Sequence, residues 1–312
     1  MAKKIFHNKP SFILIFAYTV MALINPRFAT IGHIVAVLSQ TSINAVIATG
    51  MTFAILTGGI DLSVGSVLGL CGAVAAFMIS SGSNVVLVII TTILLGTFIG
   101  YINGTLVTVG RLQPFIATLG TVTLLRGIIL VFTQGRPIGV GDTPGSEIFT
   151  EIGRGFIGPL PIPVIIMIIV FLIAYYILRH TKIGRYIYAT GSNEEATMYS
   201  GIKTEKVKRF VYAVSGMMAA LAGILITSRL GSAQPTSGVG YELDAIAAVV
   251  LGGTSMAGGI GTIAGTAIGA LIIGVLNNAL NLMQVSSYYQ DVAKGIVILI
   301  AVLLDRKQKS SR

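Results

Sequence analysis

The sequence has few of the residues from which catalytic and metal sites are usually built. Its single cysteine, Cys71, cannot form an internal disulfide and stands in an apolar run, which favours a packing role. The three histidines (His7, His33 and His180) are scattered, so they indicate neither a metal cluster nor a catalytic triad. The sequence also lacks a Gly-x-x-x-x-Gly-Lys-[Ser/Thr] phosphate loop. We therefore expect a protein that is not an enzyme, binds no cofactor itself and takes energy for any active process from elsewhere.

Charged residues are scarce as well. They make up 10% of the chain, whereas 54% is hydrophobic and the mean hydropathy is +0.88. Apolar stretches of about 20 residues recur along the sequence, which is the pattern of membrane-spanning helices. The 38 glycines suit close helix packing in lipid. The net charge of +10 lies in the loops between these stretches, so we attribute it to membrane topology and expect no nucleic-acid partner.

These stretches predict an all-α fold, a polytopic integral membrane helix bundle that forms one transmembrane domain over 1–312. The ten predicted spans are 11–25, 43–58, 62–80, 85–109, 115–133, 162–178, 209–228, 242–257, 261–283 and 291–304. Several are shorter than about 17 residues, so some must be half-helices or must pack inside the bundle. The first span follows three lysines but lacks a small-x-small cleavage site, so we interpret it as a retained helix.

Basic residues are unevenly distributed between the loops. With the N-terminus inside, fifteen lysines and arginines fall in cytoplasmic segments and four in external ones. Because cytoplasmic loops are enriched in Lys and Arg, both termini are predicted to be cytoplasmic. On this topology residues 134–161, rich in Gly and Pro, form the longest external loop. That loop either caps the bundle, meets an external partner, or is an irregular connector.

The basic residues are most concentrated in 179–209, a predicted cytoplasmic loop with seven basic and three acidic residues. Ser192 and Glu195 have the spacing of a capping box, and Gly201 stands where a left-handed residue would end a helix. We predict a short helix over 193–200, outside the bilayer. A helix of two turns is not stable alone in water, so a partner surface would support it; the alternative is an ordinary basic loop with a locally ordered turn.

Two glycine-rich breaks, at 58–66 and 252–259, begin 194 residues apart, one in each half of the chain. This spacing is consistent with an internal structural repeat. Interrupted helices in corresponding halves point to substrate paths in transporters, although glycine pairs also serve purely as packing and turn positions. We interpret Asp61, in the first break, as the cap of a helix that begins near Leu62.

Polar residues inside the spans allow two readings. Arg126 needs an interior partner or snorkels to an interface, and Asp291 with Lys294 is predicted to be a structural i,i+3 pair. The uncharged ones either line a path for a neutral hydroxylated solute or hydrogen-bond between helices. These candidates are Asn103, Thr118, Thr121, Thr123, Asn277, Asn278 and Asn281.

Four longer blocks carry a resemblance: GGIDLSVGS at 58–66, HTKIGRYIYATGSNEEAT at 180–197, SAQPTSGVGYELDAIAAVVLGGTSMAGG at 232–259 and NNALNLMQVSSYYQ at 277–290. From about residue 30 to 305 the chain resembles the membrane permease subunit of bacterial ribose-type ABC importers. The resemblance implies two permeases of about ten spans each in the inner membrane, a partner ATPase that binds ATP-Mg, and a soluble external sugar-binding protein. It also implies a coupling helix that contacts the ATPase. That helix maps onto Ser192, Asn193, Glu194, Glu195, Ala196, Thr197 and Gly201.

We therefore expect a permease that moves a monosaccharide inward by alternating access, and the expected monosaccharide is D-ribose. One alternative is a related importer of xylose, galactose or a furanosyl signalling molecule. Another is a self-sufficient secondary transporter or channel, and an intramembrane enzyme would need a catalytic constellation that the sequence lacks.

Overall fold

Long apolar helices make up most of the computed structural model, which describes residues 9–24, 26–286, 288–290, 292–296 and 299. The helices in chain order are α1 (Lys9–Ile24), α2 (Ile31–Leu56), α3 (Val64–Ser80), α4 (Val85–Thr108), α5 (Pro114–Thr133), α6 (Pro144–Arg154), α7 (Ile162–His180), α8 (Lys182–Ser192), α9 (Glu194–Tyr199), α10 (Thr204–Leu230), α11 (Tyr241–Leu251) and α12 (Ile263–Leu282). The two-residue strands are β1 (Ile138–Gly139), β2 (Phe156–Ile157), β3 (Leu160–Pro161) and β4 (Ser232–Ala233). β1 pairs with β4 and β2 pairs with β3, both antiparallel.

The all-α membrane fold is confirmed. Six helices (α2, α4, α5, α7, α10 and α12) are long and apolar enough to cross a membrane, and α1 and α3 are shorter apolar helices. With α11, nine of the ten predicted spans coincide with helices, and most of the tenth, 291–304, lies outside the described residues. The start predicted for the second span was twelve residues too late, because α2 already begins at Ile31 and continues through the polar positions 39–42.

α10 is the central helix of the bundle. Of its most apolar stretch 78% is buried, against 28% in α5 and α7, which face outward. α4 lies directly on α10 through a stripe of glycines at 96, 100 and 104. A Cβ at Gly104 would lie 2.7 Å from the Cα of Arg209, so only glycine allows the two backbones to approach this closely.

The loop at 134–161 is an ordered cap on one end of the bundle. Within it, α6 buries Phe149 completely, and the hydroxyl of Ser228 at the end of α10 donates to the Phe149 carbonyl. Arg154 Nε donates to the carbonyl of Arg229 at 2.7 Å, and β1 of this loop pairs with β4 just after α10. Of the readings predicted for this loop, the irregular connector is therefore wrong.

The basic segment lies at the opposite end. The basic segment runs into the start of α10, and the cap lies at the other end of this helix. At 1.5 Å per residue, the 27 residues of α10 are about 40 Å long. The two loops singled out by the sequence are therefore separated by the full length of the bundle.

Arg126 has the interior partner that its position in α5 requires. Its Nη1 donates to the carbonyl of Ser237 at 2.8 Å and to that of Pro235 at 3.4 Å. Cys71 is fully buried among apolar neighbours, as a packing residue would be.

Candidate functional site

The basic segment folds into two consecutive helices, α8 and α9, joined at Asn193. The Oδ1 of Asn193 accepts the amide of Ala196 at 2.9 Å and so caps α9. At the other end Gly201 has φ +82°, as predicted. Its amide donates to the carbonyl of Met198 at 3.0 Å and the next amide donates to that of Thr197 at 3.3 Å, which is a Schellman ending.

The capping box predicted for Ser192 and Glu195 is wrong. Ser192 is the last residue of α8, and its hydroxyl donates to the carbonyl of Tyr188 at 2.8 Å, within the preceding turn. The capping role therefore falls to the next residue, Asn193, whose extended backbone suits it.

The outward face of α9 carries large exposed side chains. Tyr199 is 86% exposed and Met198 53% exposed, with Glu195 exposed beside them. Glu194 instead forms an ion pair with Lys208 at 2.5 Å, which holds α9 to the start of α10. An exposed aromatic and an exposed Met on one short helix are typical of a surface that contacts another protein.

The inward side of α8 lies against both glycine-rich breaks. A Cβ at Gly191 would meet the backbone of Leu56 and would lie 2.6 Å from the amide nitrogen of Gly259. That amide donates to the Leu56 carbonyl at 2.9 Å, and a Cβ at Gly258 would lie 2.9 Å from the nitrogen of Gly58. We call Gly58, Gly191, Gly258 and Gly259 the glycine junction. The two breaks predicted from the sequence therefore meet at one point, on the end of α8.

A buried hydrogen-bond network follows the first break. Asp61 Oδ1 accepts from the amide (3.1 Å) and the hydroxyl (2.6 Å) of Ser63, whose oxygen in turn accepts from Asn103 Nδ2 at 2.8 Å. Thr121 donates to Asn103 Oδ1 at 2.6 Å. The prediction that Asp61 caps a helix from Leu62 is wrong, because α3 begins at Val64 and Asp61 makes an Asx turn ahead of it.

Thr118, also fully buried, donates to the carbonyl of Pro114 within α5 at 2.8 Å, whereas Thr123 is exposed. Asn103 and Thr121 thus hydrogen-bond between helices. For Asn103, Thr118 and Thr121 a role in a solute path stays a prediction.

A polar cavity of about 170 Å³ lies between α2, α11, α12 and the segment that follows α12. Tyr241 forms an aromatic part of its wall. Asn44 lies about 20 Å from the start of α2, near the middle of that helix, whereas Tyr241 begins α11 and Asn281 is the next-to-last residue of α12. The amide and hydroxyl side chains that line it are Gln40, Thr41, Asn44, Asn277, Asn281 and Gln290.

One paired carboxylate lies in the cavity wall. Asp244 Oδ2 accepts from Asn277 Nδ2 at 3.1 Å and from Lys294 Nζ at 3.3 Å, and its side chain is 7% exposed. The sequence predicted Asp291 as the partner of Lys294; Asp291 lies outside the described residues, and Asp244 is the carboxylate that the structure places beside this lysine.

The structure therefore divides the seven predicted path residues. Asn277 and Asn281 line the cavity, and Asn278 lies beside it, donating to Gln40 Oε1 at 3.3 Å. Three further lining residues were not predicted from the sequence: Gln40, Thr41 and Asn44. Gln40 and Asn44 are spaced i, i+4 on an apolar helix and so share one face, which is the signal that could have found them.

Membrane-length helices around a polar cavity, with a helix pair exposed at one end, define a polytopic membrane transport protein. Over residues 33–302 the chain matches the family described as branched-chain amino acid transport system / permease component, and it belongs to this family of transport permeases.

Several curated relatives cover nearly the whole chain. It is 58% identical to the ribose import permease protein of Haemophilus influenzae, over 95% of this chain and 92% of that protein. It is 54% identical to the ribose import permease protein of Bacillus subtilis, over 93% and 90%. Identity to the xylose transport system permease protein of Escherichia coli is 34%, over 87% and 84%. No solved structure matches the chain significantly.

Proposed function

We propose that this chain is the transmembrane permease subunit of an ATP-binding cassette importer. It carries a monosaccharide by alternating access, and the proposed monosaccharide is D-ribose. The substrate assignment is supported by the relatives: two proteins named as ribose import permeases are 58% and 54% identical to the chain, whereas the xylose permease is 34% identical. Permeases for other sugars of the same family remain the alternative substrate class.

The observation that carries the mechanism is the glycine junction. Backbone atoms of α8 touch the break after α2 and the break after α11 at the same point. Because backbone contacts without intervening side chains transmit a displacement with little loss, a movement of α8 and α9 reaches both interrupted helices together. A partner protein that moves α8 and α9 can therefore change the conformation of the whole bundle through the glycine junction.

The partner that supplies this work is an ATPase subunit, which holds ATP-Mg and docks on the face of α9 that carries Tyr199 and Met198. We place this end in the cytoplasm of a bacterium, with both termini on the same side of the inner membrane, because the basic residues concentrate there. A second copy of the chain and an external sugar-binding protein complete the importer.

Reconstitution tests the proposal. Ribose uptake into vesicles should require the chain, its ATPase and the binding protein together, and should stop without ATP. Uptake by the purified chain alone would instead identify a self-sufficient transporter.

A charge reversal tests the docking face. Glu195→Lys should weaken copurification of the ATPase and lower uptake while the permease stays folded, because Glu195 is exposed on α9. Reversal at Glu194 is less clean, since it also breaks the ion pair with Lys208. The matched control is Glu147→Lys, an exposed glutamate of α6 at the opposite end. Equal copurification of the two variants would rule out α9 as the docking element.

A further inference from the structure

Several unsatisfied oxygens lie together at the polar cavity. Thr41 Oγ1, Asn44 Oδ1 and Asn277 Oδ1, which belong to its lining, are buried and have no hydrogen-bond partner among the described residues. The same holds for Asn278 Oδ1 beside it. The great majority of buried polar side-chain atoms in proteins are hydrogen-bonded, so a cluster of exceptions calls for a donor that enters from outside the chain.

The amide of Asn277 is held in one orientation. Its nitrogen donates to the carboxylate of Asp244, so a flip would turn its oxygen toward a negative charge. The cavity therefore offers an amide acceptor, Asn277 Oδ1, in a fixed position, and its ligand has to be rich in hydrogen-bond donors.

The charge of the cavity also limits the ligand. Among the described residues that line the cavity, the charged ones are Asp244 and Lys294, which face each other at 3.3 Å and compensate one another, so this lining carries no net charge. A branched-chain amino acid fits this lining poorly. Its apolar side chain could not hydrogen-bond to the amides, and its carboxylate, which only accepts hydrogen bonds, would face acceptors. A neutral compound with many hydroxyls satisfies the same wall.

Size gives the remaining limit. A cavity of about 170 Å³ far exceeds the roughly 10–15 Å³ that one water needs, and it is smaller than the roughly 300–1,000 Å³ of sites for drug-sized ligands. It has room for one sugar ring.

We propose that this cavity is a binding site for a single neutral monosaccharide. The sugar hydroxyls donate to Thr41, Asn44 and Asn277, and the ring lies against Tyr241. This inference rests on the proposed transport function and adds to it the residues that recognise the substrate. Substrate sites of transporters lie near the midplane of the membrane, and the cavity lies beside the middle of the membrane-length helix α2.

The absence of tryptophan from the chain provides a direct binding assay. Tyr241→Trp introduces a single tryptophan at the cavity wall, in the full chain held in a lipid nanodisc. D-ribose should produce a saturable change in its fluorescence, and L-leucine should produce none. Tyr101→Trp, which places the probe on an exposed position of α4, is the matched control and should respond to neither compound.

Removal of one acceptor tests the contact itself. Thr41→Val keeps the shape of the side chain and deletes its hydroxyl, so it should weaken ribose binding about tenfold, equivalent to about 1.4 kcal/mol. Thr105→Val makes the same change on α4, at a hydroxyl that donates within its own helix to the Tyr101 carbonyl at 2.8 Å and does not line the cavity, and it should have no effect. In the chain with Tyr241 intact, Thr41→Val should also raise the KM for ribose uptake by a similar factor.

The outcomes separate this inference from the proposed function. If the reconstituted importer transports ribose but neither the fluorescence nor the KM responds as stated, the cavity assignment is overturned and the transport function stands. If ribose binds at the cavity but the full importer does not transport it, the transport function fails instead. An equal response to L-leucine overturns the assignment to a sugar.

Discussion

Replacing Gly191 with alanine tests the mechanical role of the glycine junction. The new Cβ would be 2.6 Å from the Gly259 nitrogen and 2.9 Å from the Leu56 carbonyl carbon, with the Leu56 oxygen nearer still. These are backbone atoms, which cannot rotate away as a side chain can. To restore an ordinary contact of 3.4 Å to Gly259 alone, α8 must withdraw by roughly 0.8 Å.

The cost can be worked from these contacts. Overpacking of this kind costs about 1–3 kcal/mol, and loss of the hydrogen bond from the Gly259 amide to Leu56 adds about 1 kcal/mol. The total is about 2–4 kcal/mol. If the strain is relieved in one of the two transport states, their equilibrium shifts about 30-fold or more.

The assay compares uptake with ATP hydrolysis in the reconstituted importer. We expect Gly191→Ala to lower ribose transported per ATP hydrolysed, because α8 no longer moves together with both breaks. Tyr188→Phe offers a milder test, since it removes only the hydrogen bond from the Tyr188 hydroxyl to the Gly261 carbonyl at 2.9 Å.

Gly120→Ala is the matched control. Gly120 lies in α5 with nothing within 4 Å of an added Cβ, so the substitution should leave coupling intact and stabilise the helix by about 0.5–1 kcal/mol. If Gly191→Ala and Gly120→Ala show the same transport per ATP at similar thermal stability, the junction does not transmit the movement and the reasoning is refuted.

Two further predictions concern α9 and the buried network. Tyr199→Ala should weaken ATPase binding about tenfold or more without changing the melting temperature, because the exposed ring makes few contacts within the chain. Copurification measures the binding and thermal unfolding measures the stability. Undiminished binding would argue against the docking face. Asn103→Leu should destabilise the permease by about 1–3 kcal/mol, because Ser63 and Thr121 lose their partner in the interior. A melting temperature equal to that of Thr123→Val would show that the network contributes nothing to stability.

Much of the architecture followed from local sequence. An apolar run long enough to cross lipid must form a helix there, since only a helix satisfies its backbone hydrogen bonds within one segment. The ends of α4, α5 and α12 therefore fall within two residues of the prediction. The helix end at Gly201 was predictable for a similar reason, because its left-handed backbone is a local property of glycine.

The sequence by itself thus determined a membrane helix bundle, its two glycine-rich breaks and the short helix in its basic segment. Tertiary structure alone decided which polar residues act together. Ser63 lies 40 positions from Asn103, and Asp244 lies 33 from Asn277 and 50 from Lys294, so their pairing depends on how each helix is rotated and packed. Rotation and packing are set by contacts summed over the whole bundle, which no single stretch of sequence contains.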